Sequence, residues 1–204
     1  MQATSTNPAL LLEQAVLASP HLLCVLERWD HIALPDSWIV AGAVAQTLWN
    51  GAHDLPPGHG IKDIDLIYFD ETDLSEEAEA AQARRIKATF SDCFLDFDVK
   101  NEARVHLWYA QKFGYPICPY ASSRHAIETF PTTATAVGIR PSPSGLEICA
   151  PYGVDDLVRL IVRPNKAQIT AEIYAAKVGR WRLMWPRLTI IDWNDEMVSC
   201  SAVT

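Results

Sequence analysis

Two aspartates separated by one apolar residue, Asp63-Ile64-Asp65, sit inside a run from Ile61 to Phe69 whose only other charged residue is Lys62. No other feature limits the fold of this chain so much. In an extended strand, residues i and i+2 share a face, so the two carboxylates project side by side. The strand therefore needs an apolar layer behind it and an open surface in front. Like charges held that close are unfavourable without a cation between them. Hard oxygen donors of this kind suit Mg²⁺, which takes one or two carboxylates plus phosphate oxygens at about 2.1 Å. Mn²⁺ would serve with the same donors. Alone, the motif is satisfied equally well by an edge strand carrying two solvated acids.

The surrounding pattern alternates helices and strands. Pro8 to Ala18 and His21 to Asp30 read as amphipathic helices, followed by a short buried strand, Trp38 to Ala41. Gly42-Ala43 then turns into a helix reaching Trp49, and His53 to Gly60 is loop. After the aspartate strand, Ser75 is an N-cap for a helix with Glu76 and Glu77 in its first turn, ending near Phe90. Phe94 to Lys100 alternates: Leu95, Phe97 and Val99 point one way, Asp96, Asp98 and Lys100 the other. A helix is expected from Glu102 to Phe113, stopped by Gly114, and a short one from Ser122 that Pro131 ends. Thr133 to Arg140 and Leu146 to Ala150 read as strands, Gly153 to Val162 and Ile169 to Met184 as closing helices. The expected fold class is α+β: a mixed sheet with helices packed behind it and a cleft in front, plus extra N- and C-terminal helices. We expect residues 1–204 to form one domain, with a core of about 36–150 and a C-terminal helical part of about 151–190.

No stretch approaches the roughly 20 apolar residues of a membrane span, so no membrane partner is expected. The five cysteines are scattered and never spaced CxxC, a pattern that suits reduced, mostly buried thiols and a cytoplasmic protein. The net charge of −8 argues against coating nucleic acid, duplex DNA included. The charge is unevenly placed, with 13 acidic against 5 basic residues from Gly51 to Glu102. From Ala150 to Ile190 the balance reverses, to 3 acidic and 7 basic. One wall for metal and one for phosphate would suit this asymmetry, and so would ordinary solvated helix faces.

Phosphoryl chemistry with two metals needs a further carboxylate from a neighbouring strand. Asp98 offers one, and Asp96 on the same face is its rival. A phosphate site also needs backbone N–H donors at a helix N-terminus behind a small residue, which Gly42-Ala43 supplies. Taken in order, a small turn, an Asp-x-Asp strand, a helix and a third acidic strand make a coherent sequence of parts.

These residues carry a resemblance. The segments AGAVAQTLWN (Ala41–Asn50), IKDIDLIYFD (Ile61–Asp70), DVKNEARVHLWYAQKFGYP (Asp98–Pro116), FPTTATAVGIR (Phe130–Arg140), APYGVDDLVRLIVRPN (Ala150–Asn165) and KVGRWRLMWPRL (Lys177–Leu188) resemble the DNA polymerase β-type nucleotidyltransferase superfamily. They are similar above all to a bacterial branch described only as nucleotidyltransferase family protein. The resemblance implies a metal-dependent triad of Asp63, Asp65 and Asp98, with Asp96 still open as the third acid. It also implies an NTP as substrate, Mg²⁺ as cofactor, and transfer of a nucleoside monophosphate with release of pyrophosphate. The superfamily's Gly-Ser or Gly-Gly turn is Gly42-Ala43 here, so no hydroxyl reaches phosphate from it. The acceptor is left open by the resemblance; the acidic charge favours a small molecule, a protein or a short RNA. A non-catalytic nucleotide-binding or regulatory module would use the same pocket without needing the third acid.

Further candidates are secondary. Arg104 could hold phosphate with two parallel hydrogen bonds, and His106 could help deprotonate an acceptor hydroxyl; core packing accounts equally for His106, and better for Trp108. Lys177 and Arg180, three apart on the last helix, share a face that could meet triphosphate oxygens or only solvent. Thr132, Thr133 and Thr135 could offer hydroxyls to ribose or base, or be simply the β-branched residues of a strand. His53 and His59 flank a loop and lack the further ligands that a metal would need.

Overall fold

The computed structural model describes residues 7–195. Expectations for residues 1–6 and 196–204, Cys200 among them, lie outside the described residues. The order is α1 (Pro8–Leu17), α2 (Pro20–Leu26), β1 (Trp38–Val40), α3 (Ala41–Ala52), β2 (Asp63–Tyr68), α4 (Glu76–Thr89), β3 (Asp96–Asn101), α5 (Val105–Phe113), α6 (Ser123–Ile127), β4 (Gly138–Ser142), β5 (Gly145–Cys149), α7 (Asp155–Val158), β6 (Ile161–Val162), α8 (Ala171–Met184) and β7 (Thr189–Ile190). The mixed α+β architecture is thus the expected one.

A five-stranded sheet runs β3-β2-β1-β4-β5. Only β2 and β3 are parallel within it, joined by the crossover helix α4. The alternation of side chains divides its faces. Ile39, Ile64, Leu66, Phe97, Val99 and Ile139 point to one side and pack in one core with α1 to α4. Asp63 and Asp65 point to the other side, where β3 and β4 set charged residues among the smaller cluster of Trp38, Val40 and Ile67. Helix α8 reaches across to that side while its Trp181, with Trp185 just beyond it, packs edge-on against Trp49 of α3, at 5.2 and 5.4 Å between ring centres.

Local chemistry explains most helix ends. The Ser75 hydroxyl accepts from the Ala78 N–H and caps α4, and Gly114 closes α5 at φ 86° in the left-handed region that favours glycine. Three expectations need correction. The stretch 132–136 is a turn, because the Thr132 hydroxyl and carbonyl take the N–H groups of Thr135 and Ala136, so β4 begins only at Gly138. The helix expected from Gly153 to Val162 stops at Val158. Leu160 adopts φ 60°, and its carbonyl and the strand after it pair with β7.

The third correction concerns the thiols. Cys24 of α2 and Cys93, just before β3, form a disulfide across 69 residues, with Cα atoms 6.2 Å apart. Arg28, just past α2, bonds Asp92, just past α4, and lies over the Phe90 ring, so the two helix ends meet there, which spacing along the chain does not reveal. Of the remaining described cysteines, Cys149 is buried and Cys118 exposed. Among the described residues, no single helix is long and apolar enough to cross a membrane.

Candidate active site

A cleft of about 450 Å³ opens on the sheet face that carries Asp63 and Asp65. Its floor is β2, one side is the start of α3 at Gly42 and Ala43, and the opposite side is α8 with Lys177 and Arg180. Six of the eight residues expected in the site therefore meet in one cavity. The α3 N-terminus has no side-chain cap; the Ala41 N–H bonds the Val137 carbonyl and the Gly42 N–H bonds Asp65, which leaves the N–H groups of the rest of the first turn at the rim. Ala41, at the junction, is held at φ 52°, a conformation that costs a non-glycine residue on the order of 1 kcal/mol.

Asp65 is the electrostatic centre. Burial, then the charges of Asp63 and Asp98, push its carboxyl up to about 7, against the opposing pull of Lys177 and of the Gly42 N–H. Such a group lacks compensating positive charge. Lys177 faces the converse problem: burial, followed by the adjacent Arg180, holds it below the usual lysine range while Asp65 pulls it back up. Acid and base thus look at each other across the space where an anion and a cation would both be accommodated.

The parallel register sets Asp98 directly beside Asp65, and Asp96 beside Asp63. Asp96 is turned onto Lys87 of α4 at 2.8 Å, and Asp98 onto Lys100 at 2.9 Å. Among the described residues, no three His, Cys, Asp or Glu side chains are gathered closely enough to hold an ion. The donor chemistry nonetheless fits Mg²⁺, since Asp65 is strained first by burial and then by the negative charges of Asp63 and Asp98, and a hard cation beside it would offset both.

Other expected residues lie elsewhere. Arg104 is buried, bonds Glu79 at 2.7 Å and the Leu74 carbonyl at 3.1 Å, and does not reach the cleft. The turn of 3₁₀ helix over Glu102–Arg104 starts α5 later than expected and aims Arg104 at α4, where Glu79 needs a counter-ion. His106 lines neither this cleft nor its neighbour. His53 is structural: one ring nitrogen meets the Trp49 carbonyl at 2.8 Å and the other takes the Arg187 N–H at 3.0 Å. His59 packs edge-on against Trp185. Of the three threonines, only Thr135 lines the cleft; Thr133 is held by Asp156 at 2.7 Å.

Sequence reasoning missed Gln46 and Lys62, which also line the cleft. Gln46 lies one helical turn after Gly42, and its Oε1 is buried without a hydrogen-bond partner, so helical spacing from the glycine would have found it.

Comparison with known proteins agrees with this geometry. A family model described as nucleotidyltransferase matches residues 27–190, and the chain belongs to that family. It is therefore a transferase by class, with a nucleotide as substrate. A structure solved by NMR, described as revealing a CCA-adding enzyme head domain, is similar with a TM-score of 0.72 and 27% identity. The match covers 89% of this chain and 94% of that one. No curated protein matches the chain in sequence.

Proposed function

We propose that the protein transfers a nucleoside monophosphate from an NTP to the hydroxyl of an acceptor, with Mg²⁺ and with pyrophosphate as the leaving group. The observation that carries this reading is the opposition of Asp65 to Lys177 across a cleft edged by a helix N-terminus. Asp63, Asp65 and Asp98 would hold the metal, which when bound neutralises phosphate charge that the carboxylates would otherwise repel.

The chain's own residues supply the rest. Lys177 and Arg180 draw the β- and γ-phosphates to the α8 wall, and N–H groups of the first turn of α3 beyond Gly42 donate to their oxygens. That fixes the α-phosphorus over β2 and beside Asp98. The acceptor oxygen then bonds to the α-phosphorus as the bond to the bridging oxygen of the β-phosphate breaks. Pyrophosphate leaves with that electron pair, and the hydroxyl proton passes to Asp98. For this, Asp98 must exchange Lys100 for the acceptor. Because α8 belongs to the C-terminal part, we treat the core and that part as one working unit.

The test is calorimetric titration of each of the four NTPs with Mg²⁺, alongside a pyrophosphate-release assay. Saturable binding lost in Asp65→Asn, with pyrophosphate release from wild type, supports the proposal. Absence of Mg²⁺-dependent binding for all four NTPs overturns it.

A further inference from the structure

A second cavity, of about 280 Å³, adjoins the first and shares Pro131 and Lys177 with it. It lies at the β3 end of the sheet, where Lys100 contributes to its lining. Its walls are largely aromatic, from Trp108, Tyr109, Phe113, Tyr120 and Phe130. The polar ends of two of these rings are already engaged. The Tyr120 hydroxyl bonds Gln168 Oε1 at 2.8 Å, and that of Tyr109 meets the Tyr115 hydroxyl at 3.3 Å.

One polar group lining this cavity is different. Glu102, 7% exposed, follows β3 directly and has neither a hydrogen bond nor an ion pair to any described residue. Its unpartnered carboxyl oxygens are not fully enclosed and so open onto the cavity, where an ionised carboxylate without a countercharge is costly. Glu79 stands nearby and adds further negative charge; Lys100, which lines the same cavity, pulls the other way but is bonded to Asp98 and does not bond Glu102.

We infer that this cavity is the acceptor pocket, and that it takes a hydroxylated molecule with an aromatic or apolar body and a protonated nitrogen, the nitrogen binding Glu102. The inference rests on the reading that the nucleotide occupies the first cleft. A cation beside Glu102 would also face the rings of the walls, which attract positive charge. The body of the molecule would replace water against the aromatic side chains, and its hydroxyl would point past Lys100 toward Asp98, which Lys100 bonds. The acid responds as one awaiting a countercharge, since burial, then Glu79, pushes its carboxyl up to about 8.

The test uses the full chain without nucleotide, and two probes matched in shape: tyramine, which carries an ammonium, and 4-ethylphenol, which does not. Affinities are measured by ligand-observed NMR. We expect tyramine to bind at least tenfold more tightly than 4-ethylphenol, and Glu102→Gln to bring tyramine down to the level of the neutral probe. Glu102→Gln removes no native hydrogen bond, so it should fold. Trp108→Ala is the second variant and should weaken both probes. Equal binding of the two probes, no saturable tyramine binding, or tyramine binding unmoved by Glu102→Gln overturns the inference. If Glu102→Gln leaves tyramine unmoved and instead weakens Mg²⁺-NTP binding, the pocket holds the nucleotide base. Asp65→Asn separates the two readings: loss of NTP binding there, with tyramine selectivity intact, concerns only the first cleft. Tyramine selectivity in a protein that binds no NTP would sink the nucleotidyl-transfer reading and leave the cation pocket standing.

Discussion

A methyl group on Gly42 would lie 3.4 Å from Oδ2 of Asp65 and 3.1 Å from Nε2 of Gln46. The N-terminus of α3 and the floor of the cleft are that close. Gly42→Ala should cost little stability, because Gln46 is flexible at that end and alanine suits a helix better than glycine by up to about 1 kcal/mol. Its effect should fall on the ligand. We expect a melting temperature close to wild type and several-fold weaker Mg²⁺-NTP binding, measured by calorimetry. Unchanged binding would remove Gly42 from the phosphate site.

The raised carboxyl of Asp65 makes a prediction about pH. Its value is near 3.8 when unfolded and about 7 when folded. Between these the unfolded chain binds fewer protons, so this group's contribution to stability falls as pH rises from about 4 through 7 and is constant beyond. Asp65→Asn should make the protein's decline over that range shallower, leaving the share due to Glu102, and stabilise the metal-free protein at pH 7.5 by on the order of 1–3 kcal/mol. Urea denaturation at pH 4.5, 6 and 7.5 compares the two slopes. A mutant less stable than wild type at pH 7.5 would mean that Asp65 is a structural acceptor.

Asp98 tests chemistry apart from binding. A group used chiefly in the transition state lowers kcat far more than it raises KM. Asp98→Asn should keep NTP affinity within a few-fold yet reduce pyrophosphate release by roughly 10² or more. Asp96→Asn, whose carboxylate is held by Lys87, should reduce neither.

Arg104 and Glu79 form a buried pair. Removing one partner of such a pair leaves an uncompensated charge and costs about 3–5 kcal/mol. Arg104→Ala should lower the unfolding midpoint accordingly while the surviving folded fraction binds NTP normally. Lost affinity with unchanged stability would return Arg104 to the nucleotide.

The disulfide closes a loop of 69 residues between α2 and the start of β3. Loop-closure arguments give such a link a contribution of about 2–4 kcal/mol. A reductant should lower the melting temperature of wild type and leave Cys93→Ser unmoved, as differential scanning calorimetry would record.

What the sequence made legible was governed by short-range periodicity. Period two placed Asp63 and Asp65 on one face and Ile64 and Leu66 on the other, and a capping serine located α4. The same period put Asp98 and Lys100 on one face, so their pairing was within reach. Arg104 was misread because a 3₁₀ turn precedes α5 and changes which way its side chain leaves the backbone. The disulfide, the Thr132 turn and the Glu102 pocket depend on contacts between distant segments or on side chains competing for backbone groups, and no local pattern carries them.

The two charged walls of the cleft come from segments more than 100 residues apart, and a seam of indoles helps hold one to the other. Trp185 donates to Asn50 at 2.8 Å across 135 residues, and Trp49 fills the space between Trp181 and Trp185. A phosphate chain gripped from both sides therefore behaves as a removable rivet. Nucleotide affinity includes the cohesion of that seam, and by reciprocity every increment of nucleotide affinity is returned as resistance of the last helix to peeling away.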